Sequence, residues 1–371
     1  MNNRNAIIDN LRGLCMLGVI AIHTGSNLAL ALNPNSLLYL FYEVLSRYSV
    51  PGFFFISGFG LFTGYPLDQP LHYFTYIKKR LRSVGLPYLT WSLLYLAYYS
   101  YITPGSIDWS LGNLLFTLFF GLASYHIYFM VILLWFYLLF PLWRNLLRLM
   151  HKSSLVISIL VLGLAQMVFN YWTCHFWAYP AWIANNTLLL NLFNYRLNYL
   201  PLHYLFVFLL GALAAIHYEA FIRGILANAK IITLFWITTV GLLISRAYYL
   251  LYFKNYSLEN ITNTLQQLSS EGFLYTIASM LFFSLLLLKA NSQSPVFKWC
   301  RLLSINSLII YLIHPFFLDQ ISYILPLLLS NANYLSIATY FSVLFFSLLA
   351  SIIILKLLRK TPLLSRLLIG R

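Results

Sequence analysis

Apolar runs of about twenty residues recur along this chain, and no other feature constrains its fold so strongly. Each run is long enough to cross a hydrocarbon core of ~30 Å as a helix. Bilayer lipid offers backbone groups no partners, so a spanning segment must satisfy them within itself. The composition agrees: 61% of the residues are hydrophobic and 8% are charged, against roughly a quarter charged in soluble domains. A water-soluble chain of 371 residues could not cover its surface with so few charges. The aromatic share of 18% suits many helix ends at lipid interfaces, where Trp and Tyr collect. The expected fold is an all-α polytopic membrane protein, a single domain over residues 1–371.

Reading the runs in order predicts about ten transmembrane helices. They are Leu11–Leu32, Tyr42–Phe62, Ser83–Ile102, a span from near His126 to Trp143, Ser154–Trp172, Leu200–Tyr218, Ile231–Phe253, Gly272–Leu288, Leu303–Leu325 and Tyr334–Leu355. The apolar stretch Leu111–Trp143 exceeds one simple span. Gly121 and the Ser124-Tyr125-His126 break predict a short outer or re-entrant helix before the fourth span. The LALAL sequence after His23 superficially resembles the end of a signal peptide. Its apolar segment is longer than a typical signal core and carries a histidine, so a retained helix is expected.

Basic clusters fall at 78–82, 144–152, 223–230, 289–301 and 356–371. With ten spans and an inside N-terminus, all five clusters face the cytoplasm, as the positive-inside rule requires. Both termini are therefore expected to be cytoplasmic. The net charge of +15 is dispersed among these clusters, which fits topology control rather than nucleic-acid binding. Cys15, Cys174 and Cys300 are widely separated and supply neither a disulfide framework nor a metal site.

Polar residues inside apolar runs are the candidates for chemistry. The roughly eleven steps from Arg12 to His23 cover ~16 Å of helix. With Arg12 at a membrane face, His23 falls near mid-bilayer, where an ionisable side chain is expensive and marks function. The bland alternative is a histidine satisfied by a neighbouring helix. His314 lies about ten residues into the ninth span, also near mid-membrane, and Pro315 can bend the helix there. His126 belongs near the outer end of the fourth span. Ser57, in PGFFFISGFG, sits ~9 Å from the cytoplasmic end of its helix, and the Ser57-Gly58 pair also suits close helix packing. Lys79, Arg80 and Arg82, in KKRLR, serve topology, and they equally suit an anionic cofactor, since Lys and Arg pair with phosphate.

The IDNLRG start, the Arg12–His23 spacing, VPGFFFISGF, KKRLR before PY, YHIYF and YLIHPF occur in one order across nearly the whole chain. In this combination the sequence resembles the acyltransferase-3 family of integral membrane acyltransferases. Members with this look include O-acetyltransferases of cell-envelope polysaccharides. The resemblance implies transfer of an acyl group, acetyl by default, from cytoplasmic acyl-CoA to a hydroxyl of an envelope polysaccharide or lipid-linked sugar. It implies location in the bacterial cytoplasmic membrane and no metal. It assigns catalysis to His23 with Arg12, and cofactor binding to Lys79, Arg80 and Arg82. The family's arginine motif, Arg-x-x-Arg, reads here as Lys79-x-x-Arg82, and Lys cannot reproduce a bidentate Arg contact. Ser57 is the candidate oxyanion donor, and His126 and His314 are candidates for acceptor binding. A rival reading is a transporter or flippase of an envelope glycan, which would share the midplane polar residues. The acid that orients His23 is left open among Glu43, Glu271 and Asp319.

Overall fold

The computed structural model describes residues 3–29, 36–291, 293–328 and 337–370. The expected ends of the first span, after Ala29, and of the tenth, at Tyr334, lie outside these residues. Every regular element among the described residues is helical. In chain order these are α1 (Asn3–Ala29), α2 (Ser36–Leu45), α3 (Ser49–Gly64), α4 (Tyr73–Arg80), α5 (Leu86–Ile102), α6 (Leu111–Phe120), α7 (Tyr128–Leu138), α8 (Phe140–Lys152) and α9 (Leu155–His175). There follow α10 (Thr187–Asn194), α11 (Arg196–Tyr199), α12 (Leu205–Ile216), α13 (Tyr218–Ala227), α14 (Ala229–Tyr252), α15 (Leu258–Thr264), α16 (Ser270–Lys289), α17 (Pro295–Leu328), α18 (Ile337–Leu358) and α19 (Pro362–Leu364).

Among the described residues, six helices are long and apolar enough to cross a membrane. Two bent pairs, α7 with α8 and the 201–216 segment with α13, raise the number to eight if each pair forms one span. The two other expected spans fall short for local reasons. Pro51 has no N–H to bond the Arg47 carbonyl, and its ring crowds that carbonyl. The second apolar run is accordingly interrupted by a turn between Leu45 and Ser49. The third run is divided between a π-helical turn, Leu81–Gly85, and the 17-residue α5. Pro141, in the first turn of α8, similarly accompanies the 63° bend after α7. The break expected before the fourth span is present: α6 ends at Gly121 in the left-handed region, φ +65°, and α7 starts at Tyr128.

The chain divides into two compact units, 1–64 with 207–356, and 65–206 with 357–371. In the first, α1 is the central helix, with Leu11, Cys15, Met16 and Ile20 fully buried. It packs closely on α17 and α3 through small residues, the usual device for helix association in lipid. A β-carbon on Gly13 would lie 2.7 Å from the Cys300 Cα, and one on Gly52 would lie 2.6 Å from the Cys15 Sγ. The pairs Gly13–Cys300 and His23–His314 rise together in number, so α1 and α17 run parallel. Gly18 meets Ser49 and Gly52 meets Cys15, so α1 and α3 run antiparallel.

In the second unit, α9 leaves Val156, Ile157, Leu160, Val161 and Leu164 exposed, an apolar face of the kind that lipid covers. The same helix buries Gln166, Asn170 and Thr173. Arg144 of α8 is 2% exposed and gathers the loop before α4, donating to the Tyr65, Leu67 and Gln69 carbonyls at 2.7, 3.4 and 2.6 Å. One basic residue of the 144–152 cluster thus ties a loop down, whatever it also does for topology.

Candidate active site

The parallel packing of α1 on α17 brings the two mid-helix histidines of the first unit together. The His23 and His314 rings lie 5.2 Å apart between centroids, tilted by 39°. His314 is fully buried, and its Nδ1 lies 2.9 Å from the Ile310 carbonyl. A carbonyl only accepts, so Nδ1 carries the proton and Nε2 the lone pair. Pro315, which has no N–H, does not supply the usual i+4 donor to the Tyr311 carbonyl.

The surroundings of His23 are polar and ordered. The Tyr340 hydroxyl donates to the Ala21 carbonyl at 2.6 Å, and its ring stacks on Tyr42. The Thr24 hydroxyl donates to the Ile20 carbonyl at 2.8 Å. Of the three acids left open by the sequence, Glu43 packs against this stretch of α1. Its Oε1 accepts from Ser26 at 3.2 Å, and its Oε2 would lie 3.6 Å from a β-carbon on Gly25. Glu43 is 3% exposed and forms a 2.6 Å ion pair with Arg47. Arg47 also donates to Gln267 at 3.4 Å and is near enough to act electrostatically on His23. The turn forced by Pro51 is what places Arg47 here, at the end of α2 rather than within a continuous span.

Arg12 sits at the other end of α1, in a 3.5 Å ion pair with Asp9, both about one-third exposed. The antiparallel register extends the Cys15–Gly52 pairing to place Ser57 level with about residue 10. Ser57 is therefore close to the level of Arg12 and ~20 Å from His23 along the helix. The next residue, Gly58, packs on the Phe208 backbone, while Gly211 packs on that of Phe55. The Ser57-Gly58 pair thus lies in a close α3–α12 seam.

The second unit holds the remaining candidates. Lys79 and Arg82 are exposed, whereas Arg80 is half-buried. The Arg80 guanidinium lies 5.4–5.7 Å from the ring centroids of Tyr65, Tyr76 and Tyr137, a cage that takes it out of the outward-facing set. The π-turn that begins at Leu81 separates Lys79 from Arg82. Such turns insert an extra residue and recur at functional sites. His126 is buried, with Nδ1 3.2 Å from the Ser124 hydroxyl and its ring edge-on to Tyr95 at 5.3 Å.

One buried polar group escaped the sequence reading. His203 Nδ1 lies 3.1 Å from Asn170 Oδ1, Gln166 donates to that same oxygen at 3.0 Å, and Gln166 accepts from the Phe206 amide. The available signal was the spacing of Gln166 and Asn170, one helical turn apart within an apolar run. Its role is visible in the bonds: it satisfies the backbone where the chain enters α12.

A family model described as an acyltransferase domain matches residues 5–356. No curated protein and no solved structure matches the chain.

Proposed function

Because the chain belongs to this acyltransferase-domain family, it is a membrane acyltransferase, and we propose that it acylates a hydroxyl of an envelope polysaccharide or glycolipid. The donor in this reading is cytoplasmic acyl-CoA, with acetyl the expected group. The enzyme works in the cytoplasmic membrane of a bacterium, with both termini inside. The observation that carries the reading is the pairing of His23 with His314 in the interior of α1 and α17.

His23 acts as general base on the acceptor hydroxyl. The alkoxide oxygen attacks the thioester carbonyl carbon, the carbon–sulfur bond breaks, and the imidazolium returns its proton to the departing thiolate. Base catalysis of this kind contributes ~10²–10⁴-fold. His314 keeps one ring face against His23 through its bond to Ile310, holding the pair in register. Glu43 and Arg47 form a buried pair that fixes the polar wall beside His23. Arg12, at the far end of α1, braces the helix or meets the donor. Lys79 and Arg82 take the CoA phosphates. They suit that role because both are exposed and no ion pair among the described residues engages either. Ser57 belongs with Arg12 rather than with the base, so in this reading it packs helices and gives no bond to the oxyanion.

The test is transfer of radiolabelled acetyl from acetyl-CoA into envelope glycan, comparing wild type with His23→Ala at equal membrane levels. Label with wild type and a loss of at least ~10²-fold in the variant supports the reading. No wild-type label with acetyl, succinyl and longer donors would overturn it.

A further inference from the structure

The family match stops at residue 356, yet the chain continues into an ordered hook. After α19, the π-helical turn Ser365–Ile369 closes on Gly370. Leu368 and Ile369 are buried, although the rest of this segment is mostly exposed. The Trp91 indole N–H donates to the Leu368 carbonyl at 3.1 Å in a buried bond. Gly370 adopts φ +77°, a left-handed conformation that favours glycine. A β-carbon there would lie 2.8 Å from the Ser83 carbonyl carbon and 2.9 Å from its Cα. No side chain fits.

The surface that receives the hook is the π-turn Leu81–Gly85, which contains Arg82 and directly follows Lys78, Lys79 and Arg80, and the start of α5. The two π-turns therefore meet, at Gly370 and Ser83. π-Helical residues are well under 1% of known structure, and they occur frequently at functional sites. Two in mutual contact beside one basic block point to a shared purpose. The hook also brings charge: Arg366 is exposed and lies one turn from Gly370, whose amide donates to the Arg366 carbonyl at 3.2 Å.

We propose that the C-terminal hook, residues 361–370, is part of the donor site: Leu368 and Gly370 brace the turn that presents Lys79 and Arg82, and Arg366 adds a further cation for the phosphates of CoA. The inference rests on the donor reading above. It extends the phosphate-binding surface beyond the segment that the family model covers. Its ligand chemistry is that of a nucleotide bearing several phosphates, which multiple cations hold through charge-assisted hydrogen bonds.

The experiment is equilibrium binding of radiolabelled CoA, without its acyl group, to the purified full chain in detergent. Arg366→Gln alters an exposed side chain and leaves the hook's packing intact; it is expected to weaken CoA binding about tenfold and to flatten its salt dependence. Gly370→Ala keeps every cation but displaces the hook from Ser83; it is expected to weaken CoA binding and to speed amide exchange across 81–85. Kinetically, both variants should raise the KM for acyl-CoA and leave the KM for acceptor unchanged. Wild-type binding of CoA by both variants would overturn the hook's role while sparing the donor reading. Failure of the wild type itself to bind CoA would instead remove the donor reading, and the hook's role with it.

Discussion

Gly13→Ala tests whether the α1–α17 seam sets the histidine pair. The new methyl carbon would lie 2.6 Å from the Cys300 carbonyl carbon and 2.7 Å from its Cα, against an ordinary carbon–carbon separation of ~3.5–4.0 Å. Backbone atoms cannot rotate away, so the helices must part locally by about 1 Å. Overpacking of this kind costs ~1–3 kcal/mol. The same seam, about three helical turns on, carries His23 and His314 at 5.2 Å. A misplacement of ~1 Å at reacting groups can cost ~10²-fold in rate. The expected result is a folded protein with a lower thermal midpoint in detergent and acyl transfer reduced ~10–10²-fold. Gly60→Ala is the control, because nothing lies within 4 Å of the added carbon. Cys300→Gly should not rescue the variant, since the clash is with backbone. Transfer and midpoint matching the Gly60→Ala control would refute the argument that this seam positions the site.

The remaining predictions address single groups. Arg80→Ala should lower the thermal midpoint by removing the cation from its cage of three tyrosines, worth ~0.5–2 kcal/mol, whereas Arg82→Ala should raise the KM for acyl-CoA with little change in midpoint. Glu43→Ala leaves Arg47 without its carboxylate in a buried setting and should destabilise by ~3–5 kcal/mol; the Glu43→Ala, Arg47→Ala double variant should recover part of that in a thermal-melt cycle. The Ser110 amide and hydroxyl, both donating at 2.8 Å, hold the exposed Asp108 carboxyl below the usual carboxylate range. A depressed carboxyl stabilises the fold above its ordinary range and stops doing so as pH falls through its lowered value. Amide protection at the start of α6, the exchange rate taken relative to the intrinsic rate at each pH, should therefore fall on acidification below the ordinary carboxylate range, and Asp108→Asn should remove that dependence.

What the sequence made legible depends on the range of the interaction. Apolar length is a local property, so Leu155–His175, Ala229–Tyr252 and Ser270–Lys289 match their expected spans within a few residues at each end. The Gly121 break is equally local and appears where expected. Proline effects are half legible: Pro315 stands beside His314 within its run, whereas Pro51 falls inside an apolar stretch whose length alone predicts one continuous span. The π-turn at 81–85 has no sequence signature as clear as a proline, and it took the first residues from the third span.

The site follows the same division. That His23 and His314 lie deep in helices is a counting result; that they touch depends on α1 and α17 running parallel with Gly13 against Cys300, which no local pattern encodes. Ser57 shows the point from the other side. Counting from one helix end gave its depth, and the glycine contacts between α1 and α3 gave its register, about thirteen residues from His23. The two routes differ: counting from the helix end leaves Ser57 ~7 Å from the level of His23, whereas the register across the seam puts it ~20 Å away. If Ser57 supplied the oxyanion bond, Ser57→Ala would cost ~10²–10³-fold in kcat. A serine in a small-residue seam loses little on becoming alanine, so transfer by Ser57→Ala should stay within about tenfold of wild type, while Gly58→Leu, forced against the Phe208 backbone, should fail to assemble. A kcat loss of ~10²-fold in a Ser57→Ala protein with an unchanged melting midpoint would instead require α1 and α3 to slide by several turns, against the register fixed by Gly18 on Ser49 and Gly52 on Cys15.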